Sequence, residues 1–223
     1  MERQDKYEKI TELAKRRGYF WPSYEIYGGT AGFINFGPLG AVMKHKLQDK
    51  WRDYFIRRQG MLEIETPIFA PKVVFDASGH IVHFREPMAQ CSKCRAMFRA
   101  DHLLVERGGV PSSEAERLSL DELGTRLREM SILCPECGGE FTQPTSFQTM
   151  FKTTIGPYSE AVGYGRPEAA QGMFTDFKRL YEVERGKLPM GAAQVGKAVR
   201  NEISPRQGPI RLREFTIMEF EFF

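Results

Sequence analysis

Hydrophobic positions along the chain switch between a helical and a strand period, and the switches mark the elements. Residues 2–17 place Tyr7, Ile10, Leu13 and Ala14 on one side of a charged stretch, which predicts an amphipathic helix. The next run, "GYFWPSYEIYGGTAGFINFGPLG", is dense in glycine and aromatics and predicts short strands and loops, turning at Gly28-Gly29 and Gly37-Pro38. Met43, Leu47, Trp51, Tyr54 and Phe55 then recur at helical spacing, and Gly60 stands where such a helix stops. "MLEIETPIF" reads as a strand with Leu62, Ile64 and Thr66 on one side; Pro67 breaks it, which suits an edge or an interface.

The pattern changes over residues 89–142. Two CxxC pairs bracket a charged stretch in which Pro111, Ser112 and Ser113 make a helix start and Leu118, Leu123 and Leu127 a modest apolar stripe. This segment reads as an inserted module. Strand signals return in "FQTMFKTTIG" and "AVGYGRPEA", followed by a helix, "AAQGMFTDFKRLYEVERG", with Met173, Phe177, Leu180 and Tyr181 on its apolar face. The last element is a hairpin, "AVRNEI–SPRQGPI–RLREFTIMEFEFF". Locally pairing strands with helices beside them predict an α+β domain around an antiparallel sheet.

Composition narrows the class. Of 223 residues, 41% are hydrophobic and 27% charged, as in soluble globular proteins. The 32 basic and 29 acidic residues leave a net charge of +3, too balanced to argue for a nucleic-acid partner. No apolar run is long enough to span a bilayer, and the charged N-terminal stretch lacks a signal core, so the expectation is a cytoplasmic protein.

Four cysteines, Cys91, Cys94, Cys134 and Cys137, form the two CxxC pairs. Each tight turn puts two sulfurs on one side, and two such turns complete a tetrahedral thiolate shell suited to structural Zn²⁺. Gly138-Gly139 lets the backbone fold around the metal. Four protein ligands leave no open position, which argues against a catalytic metal. Reduced, metal-free thiols are the plain alternative, and His83 and His102 read as ordinary polar residues.

Strand alternation would put Arg200 and Glu202 on one face of the hairpin, with Arg211, Arg213, Glu219 and Glu221 beside Phe215 and Ile217. Leu212, Met218, Phe220 and Phe222 would take the other face and pack on a core. A solvated face of weak ion pairs explains this pattern as well as a ligand site does. Arginine is suited to clamping phosphate oxygens, and neighbouring carboxylates to holding an ammonium or adenine amino group. Arg166-Pro167-Glu168 raises the same choice: a helix start, or a carboxylate aimed into a pocket lined by Gly163, Gly165 and Gly172.

"RNEISPRQGPIRLREFT", "GRPEAAQGMF", "SYEIYGG" and "FGPLG" resemble glycyl-tRNA synthetases of the archaeal and eukaryotic type, which are class II aminoacyl-tRNA synthetases, over nearly the whole chain. The resemblance implies ATP-dependent activation of glycine and transfer to tRNA-Gly, with Mg²⁺ accompanying ATP. It implies that the 40–58 helix and "QGMLEIETPIF" are motif 1, a homodimer interface with Pro67 as its signature proline. "VRNE" would open motif 2, with Arg200 on the α-phosphate and the glycine carboxylate. Asn201, Glu202, Arg211 and Leu212 would contact ATP. Glu168 and Glu219, with Arg166 beside them, would hold glycine, and the four cysteines would carry the zinc of an insertion. The implied division is 1–88 and 143–223 for the catalytic domain and 89–142 for the insertion.

The chain departs from the family at Ala169, Met218 and Phe222, where threonine, alanine and histidine are usual. Motif 3 and an anticodon-binding domain are not found before Phe223, so the expectation is the N-terminal part of a synthetase, weakly active or inactive alone. A non-catalytic synthetase-like accessory module is the rival; Arg200, Glu202 and Arg211, the ATP contacts such modules lose, argue against it.

Overall fold

A computed structural model describes residues 2–157, 160–203, 205 and 208–223. Two compact units emerge, one formed by 1–78 with 150–223 and the other by 79–149.

The first unit opens with helix α1 (Glu2–Arg16), then an antiparallel pair, β1 (Phe20–Pro22) and β2 (Ile34–Phe36). Between them Tyr24, Gly28 and Gly29 take left-handed backbone conformations, so this loop reverses direction within a few residues. Helix α2 (Pro38–Trp51) starts with proline in its first turn, where the missing N–H is no loss. It continues as a wide π-turn, Arg52–Arg58, and stops before Gly60, whose φ is +70°. The apolar faces of α1 and α2 do not close on each other: Ile10, Leu13, Phe36, Met43 and Leu47 line an open groove of about 550 Å³.

"MLEIETPIF" does not make one strand. Leu62–Glu63 (β3) pairs in parallel with a later strand, and Phe69–Pro71 (β4) joins a different sheet. Pro67, which lacks a ladder donor, lies between them. Helix α3 (Lys72–Ala77) ends this part of the unit and buries Phe75 fully.

The second unit begins with the short helix α4 (His80–His83) and strand β5 (Arg85–Gln90), which sits between β6 (Met97–Arg99) and β7 (Thr145–Gln148). Helices α5 (Ala100–Gly108), α6 (Ser112–Ala115) and α7 (Leu120–Glu129) supply its core. Ser119 caps α7: its hydroxyl accepts from the Glu122 N–H while the Glu122 carboxylate accepts from the Ser119 N–H at 2.8 Å. This cap starts a new helix, so the helix start at Pro111 and the Leu123–Leu127 stripe belong to different helices. Leu103, Leu104, Leu123, Leu127 and Ile132 are buried together, with Leu118 packed against them.

The expected strand "FQTMFKTTIG" is also cut. Its first half is β7; its second, β8 (Lys152–Thr154), returns to the first unit and pairs with β9 (Val162–Gly165). Helices α8 (Ala170–Thr175) and α9 (Phe177–Val183) follow, a break at Asp176 dividing the one helix expected. Strands β10 (Gly191–Val199) and β11 (Glu214–Phe222) pair along nine residues each, and β3 flanks β10. Against this sheet Met173, Leu180, Met190 and Ala192 form a buried cluster. The molecule is α+β with antiparallel sheets, apart from the parallel β3–β10 pair. Among the described residues no helix is long and apolar enough to cross a membrane.

Candidate active site and metal centre

The β10–β11 ladder sets the face on which the first unit's polar groups meet. Gln194 stands opposite Glu219, Ala192 opposite Glu221, Gly196 opposite Ile217, and Ala198 opposite Phe215. Facing residues of an antiparallel pair share a side, so Gln194, Glu219, Glu221, Phe215 and Ile217 lie together. Small residues on β10 leave room above the sheet, and the segment 166–169 fills it.

That segment is held by its backbone. The Arg166 N–H donates to Ile68 O at 2.8 Å, and Arg166 O accepts from the Val199 N–H at 2.9 Å. Arg200 Nε donates to Pro167 O at 3.0 Å. The Ala169 N–H donates to Glu219 Oε2 at 2.6 Å, and Gln194 Nε2 donates to Ala169 O at 3.1 Å. Glu168, between these anchors, accepts from Gln171 Nε2 at 2.7 Å. Burial raises the Glu221 carboxyl above the ordinary carboxylate range, and the negative charges of Glu219 and Glu168 add to it. Three carboxylates and one arginine thus converge over the hairpin, an arrangement able to receive a cationic group.

Arg200 lies with its guanidinium carbon 5.6 Å from the centre of the Phe215 ring, within cation–π range. The strand alternation expected for Arg200, Glu202 and Arg211 does not apply, because β10 ends at Val199 and β11 begins at Glu214. Instead the chain curls: the Glu202 N–H donates to Arg200 O at 2.7 Å, and the Arg211 guanidinium lies 3.5 Å from the Glu202 carboxylate. Asn201 is half-buried here and Leu212 is buried. Arg213 secures the curl, donating from Nε to Glu202 O at 3.1 Å and from Nη1 to Ala31 O at 2.6 Å. Ser204, Arg206 and Gln207 of the expected turn lie outside the described residues.

Two other expectations change. Phe220 and Phe222 stay 39% and 66% exposed, so the greasier face of β11 is only partly covered, by Phe55 stacked 5.0 Å from Phe220. The glycines of "GYGRPEAAQG" pack against side chains of the same chain. A Cβ at Gly163 would meet Ile155, at Gly165 Val199, and at Gly172 Thr66, so their role is close packing within the chain.

Arg166 is 5% exposed. Its Nε donates to Lys197 O at 2.7 Å, and its Nη1 lies within hydrogen-bond distance of Thr66 O, Thr66 Oγ1 and Gln194 Oε1, at 3.0, 2.8 and 3.0 Å. Burial lowers its pKa, and the Glu219 carboxylate opposes that shift. Sequence reasoning missed Gln194, and it read Thr66 and Arg213 only as residues on strand faces. A lone glutamine inside the apolar run "GAAQVGKAV" was the available signal for Gln194.

In the second unit the four cysteine sulfurs lie within 4.8 Å of one another. Cys91 and Cys137 are 3.5 Å apart, and Cys94 and Cys134 3.7 Å. Sulfurs at about 2.3 Å from a tetrahedral Zn²⁺ stand about 3.8 Å apart, so the donor set fits such an ion. The two knuckles repeat one backbone pattern. The Arg95 N–H donates to Cys91 O at 3.1 Å and the Gly138 N–H to Cys134 O at 2.9 Å. The Cys91 N–H donates to Ala96 O at 2.9 Å and the Cys134 N–H to Gly139 O at 2.8 Å. A Cβ at Gly139 would sit 3.0 Å from the Cys91 sulfur, so glycine admits the cradle.

Backbone N–H groups of Cys94 and Lys93 bring the Cys91 thiol down to about 6. The Ala96 N–H favours the Cys94 thiolate too, yet burial and the three neighbouring thiols push Cys94 up to about 12. Four sulfurs this close cannot all ionise without a cation among them. The cluster can hold a metal ion.

The chain is 52% identical over 222 residues to the glycine–tRNA ligase of Aeropyrum pernix, covering 99% of this chain and 38% of that protein. It is 54% identical over 222 residues to the glycine–tRNA ligase of Pyrococcus abyssi, again covering 38% of the relative. The chain therefore spans about two-fifths of the length of these curated relatives. No protein-family model matches it. Among solved structures, the Giardia lamblia prolyl-tRNA synthetase in complex with prolyl-adenylate superimposes with a TM-score of 0.54 at 15% identity, covering 97% of this chain and 30% of that one. The RNA-binding domain of a Cryptosporidium parvum threonyl-tRNA synthetase gives 0.52 at 17%, covering 92% and 34%. The chain thus shares its fold with these two synthetase chains, and its sequence is similar to glycine–tRNA ligases, of whose length it spans about two-fifths.

Proposed function

We propose that the chain forms part of a glycine–tRNA ligase that activates glycine with ATP and transfers it to tRNA-Gly. The observation that carries this reading is the convergence of Glu168, Glu219 and Arg200 on one segment above the β10–β11 face. Glu168 and Glu219 would receive the glycine ammonium group. Arg200 would meet the glycine carboxylate and the α-phosphate, where charge grows as the carboxylate attacks phosphorus and pyrophosphate leaves. Asn201, Glu202, Arg211 and Leu212 would contact ATP. Mg²⁺ bound with ATP would neutralise charge on the phosphates.

The four-cysteine cluster would hold structural Zn²⁺ and order the inserted module, 89–142 by sequence within the compact unit 79–149. Residues 1–88 and 143–223 would be catalytic. The open apolar groove beside α2 supports a homodimer through the motif 1 region around Pro67. A cytoplasmic location suits a tRNA substrate. Glycine-dependent ATP–pyrophosphate exchange by the complete polypeptide carrying this chain tests the reading. Exchange that Arg200→Ala abolishes upholds it; no exchange by the unsubstituted protein refutes it.

A further inference from the structure

The wall of the candidate glycine site rests on a polar network that binds residues far apart in sequence. Gln194 is 1% exposed. Its Oε1 accepts from the Thr66 N–H at 2.9 Å and the Thr66 hydroxyl at 3.0 Å, and lies 3.0 Å from Arg166 Nη1. Its Nε2 donates to Ala169 O. Donors surround one end of the amide and a carbonyl meets the other, so only one orientation satisfies both. Directly across the ladder, Glu219 takes the N–H of the same residue, Ala169. The two cross-strand neighbours grip one peptide from both ends, and Glu168 is the residue before it.

We infer that Gln194 is a positioning residue: its buried amide, tied to Thr66 and Arg166 on one side and to Ala169 on the other, fixes the segment that presents Glu168. Arg166 belongs to this network as a strut. Its Nε spans to β10 at Lys197 O and its Nη1 to Thr66, so it braces the site from inside and makes no direct contact with glycine. The space it needs is built in, because a Cβ at Gly196 would overlap its Nη2. Thr66 immediately precedes Pro67, so the network makes the proposed ammonium site depend on the segment that would close motif 1.

The inference rests on the glycine-activation reading, and its test separates the two. In the complete polypeptide, Gln194→Met removes both polar ends at nearly constant volume, and Thr66→Val removes one hydroxyl. Steady-state ATP–pyrophosphate exchange is measured against glycine and against ATP. Gln194→Met is expected to raise the glycine KM about tenfold, the scale of one or two buried hydrogen bonds, with the ATP KM changed less than twofold. Thr66→Val is expected to raise it about threefold. A merely structural role would lower the active fraction and leave both KM values alone; that result overturns the inference and leaves glycine activation standing. If the unsubstituted protein shows no glycine-dependent exchange, the activity reading fails. Hydrogen exchange then judges the network by itself: faster exchange over 167–172 in Gln194→Met upholds it, and unchanged exchange overturns it.

Discussion

Arg95 and Gly138 occupy equivalent places in the two cysteine knuckles, with φ of +64° and +69°. Each follows the second cysteine of its pair and donates its N–H to the carbonyl of the first. Glycine adopts this left-handed conformation without cost, whereas a residue with a Cβ is strained by roughly 1 kcal/mol. Arg95→Gly is therefore expected to stabilise the second unit by up to about 1 kcal/mol, less the entropy that glycine adds to the unfolded chain. Denaturant unfolding checks this; destabilisation would show that the arginine side chain contributes more than its backbone strain costs.

The sulfur geometry predicts one Zn²⁺ per chain by elemental analysis. Stripping it with a strong chelator is expected to expose the Leu103, Leu104, Leu123 and Leu127 cluster to hydrogen exchange, because the ion joins the two knuckles through all four sulfurs beside that cluster. Cys134→Ser is expected to lower metal content and give the same exchange pattern without a chelator. Full protection in metal-free protein would contradict a structural metal.

Gly172 packs against Thr66, and a methyl there would overlap the threonine side chain. Gly172→Ala gains about 1 kcal/mol of helix propensity but incurs an overpacking cost of about 1–3 kcal/mol. Net destabilisation is expected in urea melts. Thr66→Ser in the same chain should recover part of it, and a double-mutant cycle measures that coupling.

Glu221 carries the pH prediction. Its folded pKa is raised, chiefly by burial and then by Glu219 and Glu168. The folded state therefore keeps a proton that the unfolded state has lost, and stability falls as pH rises through that window. Glu221→Gln is expected to raise the ligand-free Tm at pH 7 and to match the unsubstituted protein below the carboxylate range. A Tm difference that does not change with pH would contradict the assignment.

Long periodic segments were legible: α1, α2 and β11 fall where apolar spacing places them, whereas β10 lies mostly before the expected first strand of the hairpin, which opened at Ala198. The cysteine cluster was legible because CxxC spacing fixes the geometry of each pair within four residues. β5 was not, because Pro87 in "REPMAQ" argues against a central strand, yet it pairs on both sides. The division of "FQTMFKTTIG" was hidden because both halves keep the strand period. Glu168 and Glu219 could be named from resemblance, but Gln194 could not, since its meaning depends on register with Glu219 and on a partner 128 residues away, Thr66.

Among the described residues β11 pairs only with β10, so nine residues present an open edge. Such an edge invites another chain to extend the sheet. Glu214, Glu219 and Glu221 punctuate it, and an identical strand added in register would set like charges about 4.8 Å apart at three positions. Glu219 and Glu221, which belong to the carboxylate cluster able to receive a small cation, would thus also repel a second copy of their own strand. Neutralising them to tune substrate affinity would remove a guard against aggregation.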